Sequence, residues 1–334
     1  MTSQSMPLPR GRRWLVRGIL LLATLVAFLS IFAVWANRQV LDADNWADTS
    51  TELLQDPAIQ TQVSAYLVDQ VYTQVDVAGE LATALPTRLK PLAGPAAGGL
   101  RQLAENRTVR LLNRPRVQDA WRQANKLTAE QFIAIAEGKS RAILVNGNAV
   151  VLDLRQVVVD LVQRLGGSGR IAGKVPESAG KVKIMDAQQV TALQDAVGAL
   201  KGLSAVLPGL AIALYALAVF LARGRRRRTL MYAGTGFVVA GALALVLRNV
   251  GGGYVVDELA PTASVEPAVS AVWEIGTGML RDVAQAAIIM GLPVVAAGWV
   301  AGPTSSATAI RRAAAPWLRT RPDLAYGGLA VVLL

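Results

Sequence analysis

The chain has 334 residues, a formal net charge of +11, and neither cysteine nor histidine. That excludes disulfide scaffolds, Cys/His zinc sites, thiol nucleophiles and any Ser-His-Asp triad. Hydrophobic residues make up 53% and charged residues 17%. A soluble domain carries about 25% charged residues, so part of this chain is expected to lie in lipid.

A membrane span needs about 20 apolar residues, because the hydrocarbon core is roughly 30 Å thick. After a basic N-terminus (1–17), residues 18–36 form the first such segment, and Trp14 and Trp35 sit near its ends as interfacial anchors do. The segment is too long for a usual signal-peptide core, and its exit, Ala33-Val34-Trp35-Ala36-Asn37, lacks a clear cleavage site; it reads as an uncleaved signal anchor. A polar segment (37–202) follows. Then come a span (203–222), an Arg-rich loop (223–229), a span (230–247), a loop (248–282), a span (283–302) and a basic segment (303–323). The apolar stretch 324–334 is too short to cross; it reads as the start of a fifth span or as a short interfacial segment.

Arginine placement gives the orientation. Arg10, Arg12, Arg13 and Arg17 precede or enter the first span. Arg223, Arg225, Arg226, Arg227 and Arg228 separate the second and third, and Arg311, Arg312, Arg319 and Arg321 follow the fourth. An N-in topology puts all three groups in the cytoplasm, while segment 37–202 holds 19 Lys+Arg against 17 Asp+Glu. The positive charge is thus a topology signal that requires no nucleic acid, and the arginines are also suited to anionic lipid heads.

The large outer segment reads as an α+β domain, mostly helical. Thr49-Ser50-Thr51-Glu52 has the form of a capping box. Asp56-Pro57 is a second helix start, a capping carboxylate followed by proline at the first helical position. Ile59, Val63, Leu67, Val71 and Val75 then recur every fourth residue, predicting one buried face. A Pro/Gly-rich connection around Pro86 to Gly99 leads to helices over 100–112 and 116–134. Asn146-Gly147 between two apolar runs predicts a hairpin. Asp153 would cap a helix over 154–165, Lys181 to Met185 alternates as a third strand would, and a helix from Asp186 runs into the second span.

Charge is segregated within this segment. Eight acidic residues lie between Asp42 and Glu80 with no Lys or Arg among them, whereas Arg88 to Lys126 holds nine basic and two acidic residues. Two readings stand: complementary faces that set the register of paired helices, or two separately solvated surfaces.

Several chemical motifs fail. Gly167 to Ala172 matches G-x-G-x-x-A but follows a helical pattern, so it reads as a linker. Gly173-Lys174 lacks the first glycine and the Ser/Thr of a P-loop. Asp42, Asp44 and Asp48 lack the spacing of a calcium loop. The span cores hold no ionisable residue, which argues against ion-coupled transport. Gly236, Ala240 and Ala244 line one face of the third span, and Gly298 and Gly302 form a G-x-x-x-G in the fourth; both suit close helix packing. The loop 248–282 is suited either to the membrane surface or to packing under the large domain.

The stretches "LDADNWADTSTELLQDPAIQTQVSAYLVDQVY", "PLAGPAAGGLR", "VQDAWRQANKLT" and "NGNAVVLDLRQVV", followed by an Arg cluster and paired spans, resemble an uncharacterised family of multi-pass integral membrane proteins of actinobacteria. The resemblance covers roughly residues 14–250 and implies an architecture, a large extracytoplasmic domain on a helical bundle, with no assigned activity. The expectation is a non-enzymatic plasma-membrane protein of the cell envelope, N-terminus cytoplasmic, whose outer domain senses, binds or scaffolds. No cofactor is expected. Expected partners are the lipid bilayer and an envelope protein or a second copy of the chain. The alternative is a permease-like subunit, similar to the MacB/FtsX type of ABC permease.

Overall fold

A computed structural model describes residues 10–139, 143–145, 149–153, 181–302 and 308. Helix α1 (Arg10–Val40) carries the first apolar segment and continues through its polar flanks, because nothing in Asn37 to Val40 breaks a helix. Then come α2 (Ala43–Gln55), α3 (Pro57–Gln74), α4 (Val77–Ala84), a 3₁₀ turn (Lys90–Leu92), α5 (Ala93–Leu112) and α6 (Pro115–Ala136). Three strands follow: β1 (Ile143–Val145), β2 (Ala149–Asp153) and β3 (Lys181–Asp186). The chain ends its described course in α7 (Ala187–Leu221), α8 (Arg226–Leu259), α9 (Glu266–Gly276) and α10 (Gly278–Val300). Among the described residues, four helices are long and apolar enough to cross a membrane: α1, α7, α8 and α10.

The chain divides into two compact units. The first comprises 1–37, 199–250 and 278–334. Its core is built from small and aromatic side chains: Ala23, Ala27, Ala211, Ala240, Ala244 and Ala284 are buried around Tyr215, with Phe28, Phe32 and Phe237 packed against them. Alanine-rich seams let helix backbones approach closely, which is how helices associate where lipid removes the hydrophobic drive.

The second unit comprises 38–198 and 251–277. The Asp42 carboxylate caps α2, accepting from the backbone N–H of Asp44 and Asn45 at 3.0 Å each. Asp56 caps α3 in the same way, at 2.8 Å from Ala58 N and 3.2 Å from Ile59 N, with Pro57 in the first turn. The capping-box expectation at Thr49 is corrected. Helix α2 is already running there, and Ser50 and Thr51 donate back to the Ala47 carbonyl instead.

The expectation of an α+β class is overturned: this unit is a helical body. Its packing is helix on helix, α2 against α6, α3 against α5, and α9 against both α2 and α3. The three strands pair antiparallel in the order β1-β2-β3, with a register shift between Val150 and Val151. They are three, five and six residues long, so among the described residues the sheet is a small element and the packing is carried by the helices. The Asn146-Gly147 turn, the helix expected over 154–165, the glycine motifs at 167–174 and the stretch 324–334 lie outside the described residues.

The packing face of α3 is also corrected. Gln60, Ser64 and Val68 face inward, while Leu67, Val71 and Val75 are 44%, 57% and 46% exposed. The inward face is polar because it is built around an amide lock. Gln60 Nε2 donates to the Leu54 carbonyl at 2.9 Å and to Asn113 Oδ1 at 3.0 Å, and Asn113 Nδ2 donates back to Gln60 Oε1 at 2.7 Å. The loop between the third and fourth spans packs within this unit. Gln62 Nε2 donates to the Ser264 carbonyl at 2.7 Å, and α9 lies against α2 and α3.

Candidate functional site

Two surfaces concentrate chemistry, one in each unit. In the helical body, the acidic and basic stretches meet. Lys126 Nζ lies 2.6 Å from Asp44 Oδ1, Arg122 Nη2 lies 2.5 Å from Asp48 Oδ1, and Arg101 Nη2 lies 2.9 Å from Asp69 Oδ1. Arg101 also pairs with Glu105 one turn along α5 and stacks over the Tyr72 ring. Trp121 Nε1 donates to the Ser50 carbonyl at 3.0 Å, and Gln55 donates to Gln118 at 3.1 Å. These contacts all run antiparallel and mirror one another about Leu85, so 42–75 folds back along 93–126.

The hydrogen bond from Lys126 holds the Asp44 carboxyl below its ordinary value, and Asp44 raises Lys126 in turn. Hydrogen bonding raises Arg122 through Asp48, and Arg101 through Glu105 first and Asp69 second. All three cross-pairs are partly exposed, so their individual energies are small. Asp42, Asp44 and Asp48 are thus a helix cap and two ion-pair partners. Among the described residues no acidic cluster has the form of a metal site.

The outer face of α3 is the more unusual feature of this body. Tyr66, Leu67 and Val71 on α3, and Val75 at its C-cap, stand exposed; Leu67 and Val71 continue the line of inward-turned Gln60 and Ser64 toward the end of the helix, where it is left uncovered.

In the first unit, the arginines divide by role. Arg227 Nε donates to the Gly298 carbonyl at 2.6 Å, capping the C-terminal end of α10 where free carbonyls and the helix dipole favour a cation. Arg226 lies over the Phe220 ring and Arg17 over the Trp14 ring. Arg13, Arg17, Arg225 and Arg228 line one groove of about 570 Å³. Arg12 and Arg223 belong to the same two basic runs, Arg10 begins α1, and Arg311 and Arg312 lie outside the described residues.

The small residues named from sequence take distinct places. Ala240 and Ala244 are fully buried in the core. Gly236 makes room for a hydroxyl pair: a Cβ there would sit 2.7 Å from Thr24 Oγ1 and collide with the Tyr215 hydroxyl. A Cβ on Gly298 would collide with Met231, and one on Gly302 with the Arg227 guanidinium. The tightest backbone approach lies elsewhere, between Gly234 and Gly291 and between Gly241 and Ala284. Those residues repeat every seven positions on α8 and α10 in an antiparallel register that Gly298 and Arg227 continue. The seven-residue spacing of small residues was the sequence signal for that seam, and the G-x-x-x-G reading passed over it.

Compared with protein-family models, with curated proteins and with solved structures, the chain matches none.

Proposed function

We propose that this chain is a non-enzymatic integral membrane protein of the cell envelope, N-terminus cytoplasmic, whose outer helical body binds a protein partner. The observation that carries the reading is the α3 face. Leu67, Val71 and Val75 keep the spacing of a packing surface but stand exposed, while the same helix anchors itself through Gln60. A contiguous apolar stripe on a surface otherwise ordered by ion pairs is what a protein-binding face requires. The membrane half of the reading is supported by four apolar helices. The orientation is supported by the N-terminal and inter-span arginines lining the same groove, as a shared cytoplasmic side would require.

The test is site-specific photo-crosslinking of the full chain in intact cells. A photoreactive residue at Val71 is expected to give a discrete protein adduct, and one at exposed Thr83 on α4 is not. An adduct at twice the chain's mass identifies the partner as a second copy. Absence of any adduct at Val71, or equal adducts at both positions, defeats the proposal.

A further inference from the structure

The groove at the arginine end of the first unit is built for a particular kind of molecule. Its two long walls are single helical faces: Arg13 down to Thr24 on α1, and Arg228 down to Val239 on α8. Both walls start with arginine and descend in step, since Thr24 lies beside Gly236 just as Arg13 and Arg17 share a mouth with Arg225 and Arg228. Eleven residues of helix at ~1.5 Å each give a depth of ~16 Å. That is about half of a ~30 Å hydrocarbon core, or one leaflet.

The mouth is cationic and unneutralised. Among the described residues, no carboxylate pairs with Arg13, Arg17, Arg225 or Arg228. Arg13 Nε is enclosed by protein with no hydrogen-bond partner. That atom is closed to a ligand, so a phosphate at the mouth would be met by the forked outer N–H donors of the lining guanidinium groups, which suit two of its oxygens at once. Below the mouth the walls turn apolar and open sideways, with Leu21 and Val239 exposed. The foot is closed by a hydroxyl pair at 2.9 Å. Thr24 already donates to the Leu20 carbonyl, so Tyr215 is the donor in that pair and neither hydroxyl is left asking for a ligand.

We infer that this groove binds one anionic phospholipid, its phosphate held by the four arginines and an acyl chain lying between α1 and α8. Charge selects the headgroup, because the arginines attract a net-negative phosphodiester and repel the choline of a zwitterionic one. Depth selects a lipid over a free anion, because inorganic phosphate would use the mouth and leave the apolar walls uncovered.

The test titrates delipidated full-length chain in detergent with phosphatidylglycerol and with phosphatidylcholine, counting bound lipid by native mass spectrometry. One phosphatidylglycerol per chain is expected to be retained, with phosphatidylcholine weaker by roughly tenfold. Replacing all four arginines by lysine keeps the charge that orients the chain and removes the planar fork; retention should fall by roughly tenfold. Leu21→Trp, at a lipid-exposed wall position, should lower retention with every charge intact, and it serves if the lysine variant does not fold. The inference is overturned by equal retention of both lipids, by phosphatidylglycerol binding that Leu21→Trp leaves unchanged, or by displacement with millimolar inorganic phosphate.

Discussion

The seam between α8 and α10 makes a sharp quantitative prediction. A Cβ added at Gly291 would lie 2.7 Å from the Gly234 carbonyl oxygen and 2.9 Å from Val238 Cγ2, where ordinary contact begins at 3.4 Å. The shortfall against the carbonyl is therefore about 0.7 Å (3.4 less 2.7 Å), and it falls on backbone, which cannot rotate aside. Gly291→Ala must separate the helices along the whole register from Ala284 to Gly298, so the cost is that of overpacking, about 1–3 kcal/mol. Gly209 in α7 has nothing within 4 Å of its Cβ position. The unfolded reference in lipid keeps its helices, so Gly209→Ala should gain little of the helix propensity that a soluble helix would show and should stay near neutral. The assay is thermal melting of the full chain in one detergent, with both variants side by side. If Gly291→Ala melts at or above the parent, or Gly209→Ala falls as far, the close backbone approach is not what holds this pair of helices together.

Three further outcomes follow from the helical body and the topology. Gln60→Leu should destabilise the chain by about 1–3 kcal/mol, because it leaves the buried Leu54 carbonyl without its donor and breaks both bonds to the Asn113 amide, which water can still reach; denaturant melting checks it, and a stabilised variant would contradict the amide lock. The Asp44–Lys126 pair should make stability pH-dependent at both extremes. The Asp44 contribution is complete above its ordinary 3.8 and is lost as pH falls through the lowered folded value; the Lys126 contribution is complete below its ordinary 10.5 and is lost as pH rises through the raised one. Asp44→Asn should flatten both limbs, and high salt should shrink the difference, since both groups are exposed; melting across pH with and without salt reads it. The chain has no cysteine, so Thr83→Cys gives a single thiol, and a membrane-impermeant maleimide should label it in intact cells; labelling only after lysis would invert the topology.

What sequence could show here was whatever is decided within a few residues. Asp56-Pro57 announces a helix start by itself, since the cap and the proline act within one turn. The hairpin strands follow from local pattern in the same way, although three short strands do not decide a fold class. The Thr49 motif failed because a capping box requires non-helical backbone at the cap, and Asp42 had already started the helix. The α3 face failed for a different reason. Periodicity gives the spacing of apolar residues but not which face is covered, and only Asn113, 53 positions away, reveals that Gln60 is the anchor. The groove was invisible for the same cause: its arginines come from α1, from the turn before α8 and from the first turn of α8, and only the helix register brings them to one mouth.

The charge segregation of the helical body is best understood as control of which helices pair and at what offset. Its ion pairs are too exposed to supply much stability, yet their arrangement penalises alternatives. Sliding α6 by about one turn in one direction keeps two favourable pairs, Asp48 with Lys126 and Glu52 with Arg122, but adds a like-charge contact, Asp44 opposite Glu130. Sliding it the other way sets Asp48 opposite Gln118 and Lys126 opposite Val40, so two favourable pairs are lost for one gained. The Gln60–Asn113 amides act at the same step between α3 and the end of α5, because two reciprocal hydrogen bonds at 3.0 and 2.7 Å cannot both survive a slip. Burial of small side chains such as Ala47, Ala97 and Ala120 gives these helices a reason to pack but tolerates several offsets, as alanine faces are nearly uniform. Acidic residues confined to one arm and basic residues to the other select which arms pair, and the reciprocal Gln60–Asn113 amides, which tolerate no slip, fix the offset.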